Sequence, residues 1–197
     1  MTQSPSLPGP EELVGRLFEA GVAALDLLTI YLGEKLGFYA TLATTGPTTV
    51  DELPAASGAH PRYVREWLEQ QATTQLLAVD DPALPADKRR YSLPEGYDAV
   101  LVDNQSEAFV APLGRFLAAA GAMTPRLVEA YRTGAGIDWE EYGEDARTGQ
   151  ADFNRPFFLN SLVEGYLKQI PGLDERLSQP GARVAEIGPG GGFALIA

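Results

Sequence analysis

The sequence has no cysteine. That excludes disulfides, thiolate-ligated zinc, iron–sulfur clusters and thiol nucleophiles together. It has one histidine, His60, so no multi-histidine metal site exists and no metal is expected. A Ser-His-Asp triad would have to run through His60, which instead precedes Pro61, where a helix start needs a cap or turn residue. Cations are scarce: 15 Lys and Arg stand against 27 Asp and Glu, a net charge of −12. A phosphate backbone calls for a cationic surface, so this balance argues against nucleic acid. Long apolar runs are also missing. Leu13 to Leu36 is broken by Arg16, Glu19, Asp26, Glu34 and Lys35, whereas a membrane span needs about 20 largely uncharged residues. Met1 to Pro10 has neither the basic start nor the apolar run of a signal peptide. The expectation is a soluble, cytoplasmic protein with no membrane contact.

What is present is ordinary for a folded chain: 45% hydrophobic and 21% charged residues among 197. At roughly 150 residues per domain, the length allows one domain and part of another. Residues 1–10 read as a flexible tail. Pro10-Glu11-Glu12 then marks a helix start. Leu13, Leu17, Phe18, Val22, Leu25, Leu28 and Leu32 recur every three or four residues, and Val14, Leu27, Ile30 and Tyr31 broaden the stripe. A helix apolar on more than one face is buried on more than one side, within this chain or against a partner subunit. Thr49-x-x-Glu52 is a capping box opening a short helix from Val50, and Gly58 stops it. His60-Pro61 opens a longer helix whose core face reads Val64, Trp67, Leu68 and Gln71 or Ala72. Leu77–Val79 and Tyr91–Leu93 flank a turn-rich loop. A helix-turn-helix followed by a two-stranded ribbon is a winged helix.

Further on, residues 106–133 read as two helices, the first capped by Ser106 and the second opened by Thr124-Pro125 and closed by Gly134. Asp138 to Asp145 is acidic, with Trp139 and Tyr142 expected to pack inward. Its spacing does not match a calcium loop, so Asp138, Glu140, Glu141, Glu144 and Asp145 read as a solvated face. A last long helix spans about Gln150 to Gln169. Arg183 to Ile187 reads as a strand, Gly188 to Gly192 as a tight loop, and Phe193 to Ala197 as the opening of a helix.

The stretch Glu186-Ile187-Gly188-Pro189-Gly190-Gly191-Gly192 carries the chemistry. Glycines after a strand permit positive φ and a close backbone approach to a ligand. A carboxylate at the strand end accepts hydrogen bonds from a ligand's donors. The dinucleotide fingerprint fails because Phe193 stands where its third glycine belongs, and the P-loop fails for want of Lys-Ser/Thr. Acid-x-Gly-x-Gly-x-Gly remains, although a glycine turn can also close a strand for structural reasons alone.

Here the sequence resembles the class I S-adenosylmethionine-dependent methyltransferases. Glu186, Gly188, Gly190 and Gly192 match their first motif. Leu27–Gly33, Tyr63–Gln71 and Gly149–Pro156 look like the bacterial subgroup with an N-terminal winged-helix and helical dimerisation region. The resemblance implies a fold that is mainly α. A helical bundle with a winged helix occupies 11–180, and the first strand and glycine loop of an incomplete Rossmann-like α/β domain occupy 181–197. It implies S-adenosyl-L-methionine as cofactor, held by Glu186, Gly188, Gly190 and Gly192, and a homodimer formed through the N-terminal helices. It also implies a small-molecule methyl acceptor in a pocket walled by Tyr142, Phe153, Asn154 and Phe157. The plain alternative for the Phe153–Phe157 stretch is a buried amphipathic helix. A complete doubly wound domain needs on the order of 150 residues. The chain is therefore expected to be truncated after its first glycine motif and not competent for methyl transfer alone, its catalytic residues unassigned.

Two rival readings stand beside this one. A winged-helix DNA-binding transcriptional regulator would use Arg62 and Arg65, but Glu66 and Glu69 cancel their charge. In the wing, Lys88-Arg89-Arg90 faces Asp80, Asp81 and Asp87. A structural partner completing another polypeptide's sheet is the third.

Overall fold

The computed structural model describes residues 7–197. Most of the expected N-terminal tail, residues 1–6, lies outside them. Helix α1 (Pro10–Lys35) begins at the expected proline, with Glu11 and Glu12 in its first turn and Lys35 in its last. Both charge placements favour the helix dipole. Gly37, at φ 68°, turns the chain into α2 (Phe38–Thr45). The predicted capping box is present: Thr49 N–H donates to Glu52 Oε2 at 2.9 Å and Glu52 N–H to Thr49 Oγ1 at 3.3 Å. It opens α3 (Glu52–Ser57), two residues later than expected. His60 is a cap, its Nδ1 accepting from Arg62 N–H at 3.3 Å, and α4 (Pro61–Thr73) follows. Val64, Trp67, Leu68 and Gln71 are the buried face of α4, as the spacing predicted.

The wing is β1 (Ala78–Val79) paired antiparallel with β2 (Tyr91–Ser92), with Ala78 opposite Ser92 and Val79 opposite Tyr91. Thr48 adds a third rung by exchanging backbone hydrogen bonds with Tyr91. The core sits among α2, α3, α4 and the wing, with Phe38, Tyr39, Leu42, Leu53, Leu68 and Tyr91 almost fully enclosed. Helix α1 closes this core at Gly33, where a Cβ would lie 2.5 Å from Trp67 and 2.6 Å from Tyr39. Polar groups fix the crossing. Trp67 Nε1 donates to Thr29 O at 2.9 Å, Gln70 Nε2 to Asp26 Oδ1 at 3.0 Å, and Gln71 Nε2 to Thr29 Oγ1 at 3.0 Å.

After the short α5 (Asp98–Leu101), the chain departs from the sequence reading. One unbroken helix, α6 (Leu113–Thr133), replaces the two expected over 106–133. Ser106 caps only a turn, accepting from Ala108 N–H at 3.1 Å. Pro125 lies inside α6. Its missing N–H costs one helical hydrogen bond, and Thr124 Oγ1 donates to Ala120 O at 3.0 Å within the same turn. The N-terminal half of α6 packs along α1, where a Cβ on Gly114 would meet Leu27 O at 2.6 Å. Tertiary packing overrides the local break signal.

Helix α7 (Gly143–Pro156) starts seven residues before the expected helix, behind a 3-10 turn over Trp139–Tyr142 that Asp138 and Glu141 close as a capping box. Past Pro156 the helix widens into a π-helical stretch, Phe157–Tyr166, and a 3-10 turn, Leu167–Gln169. The pitch changes at the proline, which cannot supply an N–H to the regular ladder. Short helices α8 (Leu173–Leu177) and α9 (Phe193–Ile196) follow. Between them, residues 183–187 pair with no other strand among the described residues. The strand expected over Arg183 to Ile187 does not form: the segment is irregular and leaves Val184 and Ile187 exposed, since no neighbouring strand takes up its backbone hydrogen bonds.

Asp145 does not belong to the solvated acidic face expected of its segment. It accepts from the Tyr31 hydroxyl at 2.8 Å and pairs with Lys35 at 2.5 Å, tying α7 to α1. Its pKa is lowered, chiefly by the bond from Lys35. The same bonds raise the pKa of Tyr31 and Lys35, and burial raises Tyr39 strongly. Groups with a raised folded pKa stabilise fully below their unfolded values, about 10 for these side chains, and lose that contribution as pH rises through the folded values. The urea midpoint is therefore expected to hold between neutral pH and about pH 9 and to fall above about pH 10. A midpoint unchanged at pH 11 would remove this account.

Candidate functional site

The glycine loop is built by positive φ. Gly188, Gly190 and Gly192 stand at φ 71°, 54° and 75°, in the left-handed region that side chains with a Cβ avoid. The loop lies against α7. A Cβ on Gly191 would sit 2.8 Å from the Cβ of Ala151, so this position needs glycine for proximity rather than for φ.

Between loop and helix lies a cleft of about 590 Å³. One wall is Glu186, Gly188, Pro189, Gly190 and Phe193. The other is Arg147, Gln150, Ala151, Asn154 and Phe158, with Trp139 alongside. Glu186 is the single acid in the lining. Its Oε2 is buried and has no hydrogen-bond partner. A buried acceptor left unpaired costs free energy until a donor arrives, which suits a carboxylate waiting for a ligand N–H or O–H.

Three of the four predicted cofactor residues, Glu186, Gly188 and Gly190, line the cleft. Gly192 does not: it spends its N–H on Pro189 O at 2.7 Å and precedes α9. Of the predicted substrate wall, Asn154 alone faces the cleft. Phe153 and Phe157 line a separate cavity of about 240 Å³ with Phe109 and Val110, and Phe153 also meets Phe116 edge-on at 6.0 Å. Tyr142 packs against Trp139 with the rings tilted and their centroids 5.6 Å apart. Trp139 is 52% exposed, not packed inward as expected, because it stands at the cleft edge. The sequence reading missed Arg147, Gln150 and Phe158. Their signal was available: 147, 150, 154 and 158 follow helical spacing, and Asn154 already marked that face.

A metal ion has no nest of ligands among the described residues, and no described helix is long and apolar enough to cross a membrane. The helix-turn-helix spends its cations locally. Arg65 pairs with Glu69 at 3.1 Å, Lys88 with Asp87 at 3.4 Å and Arg90 with Glu52 at 3.1 Å. Arg89 Nε donates to Leu84 O at 2.8 Å.

Comparison with known proteins agrees with this architecture. Residues 23–103 match the family model of the Rv2258c-like winged HTH domain. No curated protein sequence matches the chain. Among solved structures, the chain is similar to N,N-8-amino-8-demethyl-D-riboflavin dimethyltransferase from Streptomyces davawensis. The identity is 21% and the TM-score 0.52, over 76% of this chain and 47% of that one. It is also similar to human N-acetylserotonin methyltransferase, solved in complex with SAM. Here the identity is 18% and the TM-score 0.51, over 80% of this chain and 47% of that one. The chain thus spans about half the length of either. Residues 23–103 are a winged helix-turn-helix domain, and the chain shares the fold of the corresponding part of these methyltransferases.

Proposed function

We propose that this chain is the N-terminal part of an S-adenosylmethionine-dependent methyltransferase acting on a small molecule, with residues 11–180 as its winged-helix and helical region and 181–197 as the start of its cofactor domain. The observation that carries the reading is the unpaired, buried Oε2 of Glu186 beside a glycine loop at positive φ. Glu186 would accept from the donor groups of the cofactor, and Gly188 and Gly190 would let its polar end approach the backbone. When bound, the cofactor supplies an electrophilic methyl group on a sulfonium. The chain's own part is alignment and exclusion of water. Trp139 and Phe158 offer apolar cover at the cleft, and Asn154 offers an amide beside it.

Glu186 stands alone as the acid of this cleft, so the cleft offers a single carboxylate for the several hydroxyl and amino donors of such a cofactor. For that reason the 197-residue chain binds weakly and does not transfer methyl groups by itself. The dimer reading rests on α1, which leaves Val14, Leu17, Phe18, Val22 and Leu25 exposed. An apolar stripe this long is a subunit-interface signal.

The test is an amide chemical-shift titration of the ¹⁵N-labelled chain with S-adenosylhomocysteine. Shifts are expected at residues 186–188, 190 and 191 with a Kd of about a millimolar, some −4 kcal/mol, and Glu186→Ala should abolish them. Absence of shifts at several millimolar would sink the cofactor reading. A micromolar Kd would sink the weak-binding part.

A further inference from the structure

The glycine loop does not float beside α7. Phe193, the first residue after it, lies under the guanidinium of Arg155, whose central carbon is 4.4 Å from the ring centroid. Arg155 Nη2 in turn donates to Asp152 Oδ1 at 2.7 Å. The other oxygen of Asp152 accepts from Arg115 Nη1 at 2.7 Å. Arg115 also clasps Glu34 on α1 with two bonds, Nε to Oε2 at 3.0 Å and Nη2 to Oε1. The chain of contacts therefore runs Glu34, Arg115, Asp152, Arg155, Phe193, through α1, α6 and α7 to the loop. All four charged side chains are at most 21% exposed, so water screens them little. Each guanidinium is planar and forked, which fixes direction as well as distance.

We infer that Arg155 is a positioning residue. It pins Phe193, and with it the glycine loop, to a rigid ion chain that ends on the same helix that offers the apolar face. The loop's other supports are small: Gly191 lies against Ala151, the four-residue α9 packs on α7 and the π-helical stretch, residues 183–187 have no ladder partner, and Ile187 is fully exposed. A cation over an aromatic face is attracted by the ring's negative face, more strongly where both are shielded from water, which favours docking of such a short segment. The inference concerns the same cleft and rests on its reading as a ligand site only for the consequence on affinity.

Hydrogen exchange of the full chain without ligand tests it. Asp152→Asn and Phe193→Leu should each speed exchange at residues 188–196 about tenfold, while α4 keeps its protection. Phe193→Leu leaves the ion chain intact and puts no charge at risk, so it reports even if Asp152→Asn weakens the fold. Glu34→Gln, three contacts removed from Arg155, should loosen the same loop about threefold. Unchanged loop exchange in Phe193→Leu, or in Glu34→Gln with the fold intact, would overturn the inference. If the loop loosens but S-adenosylhomocysteine shifts no amide in any version, the positioning role stands and the cofactor reading falls.

Discussion

Replacing Arg115 with methionine should destabilise the protein by about 3 kcal/mol, at the lower end of what removing one member of a buried ion pair costs. Arg115 is 13% exposed and Glu34 14%. The bonds to Glu34 hold the guanidinium pKa above its ordinary value. Methionine fills similar volume, so the loss is electrostatic and not a cavity. Asp152 keeps Arg155 as a partner at 2.7 Å, but Glu34 is left enclosed with no cation. For a chain of this length, about 3 kcal/mol lowers the melting temperature by roughly 6–12 °C. The double variant Arg115→Met/Glu34→Met should regain most of it, since replacing both partners with apolar side chains removes the stranded charge. A melting temperature within 1 or 2 °C of the parent for Arg115→Met, or no recovery in the double variant, would contradict the assignment.

The second large effect concerns assembly. Phe18, 74% exposed, and Leu17, 61% exposed, sit on the outer face of α1. In a two-fold interface every substituted position occurs twice. Phe18→Asp buries a carboxylate at two sites, at about 2 kcal/mol each by the scale of interface hot spots, and should weaken dimerisation about a thousandfold. Sedimentation equilibrium should show the parent as a dimer at micromolar concentration and the variant as a monomer with an unchanged helical spectrum. A parent that sediments as a monomer at high concentration would remove the dimer proposal altogether.

Local chemistry was legible in the sequence wherever the partners lie within a few residues. The Thr49–Glu52 box, the His60 cap, the glycine stop at Gly58 and the buried face Val64, Trp67, Leu68 and Gln71 all depend on spacings of two to four. What the sequence hid was long-range. Nothing in the spacing of Glu34, Arg115 and Asp152 announces that they meet, because ion pairs carry no periodicity. The Thr124-Pro125 break signal was real but weak, and packing of α6 against α1 outweighed it. In the candidate site, the loop and its carboxylate were readable because glycine at positive φ is a backbone requirement. The side-chain wall was harder. Phe153 and Asn154 are neighbours in sequence, yet point to different cavities on a helix where adjacent residues diverge by about 100°.

Helix α1 touches both halves of the molecule along one short segment. Thr29 receives Trp67 and Gln71 from the winged helix, while Leu27 O and Tyr31 lie against Gly114 of α6. Residues 23–103 look like a separable module by sequence family, but they are not one physically. Excising them would bare the flank of α1 that α6 covers, beside an outer flank already apolar, and would leave Glu34 without its arginine. A shortened gene product ending near residue 103 should therefore self-associate or be degraded, whereas a short insertion after Gly134, at φ 75° and exposed, would leave in place both the α6 flank of α1 and its tie to Asp145. Insertions are therefore expected to disturb the chain less at that joint than at residue 103, the boundary that the family match draws.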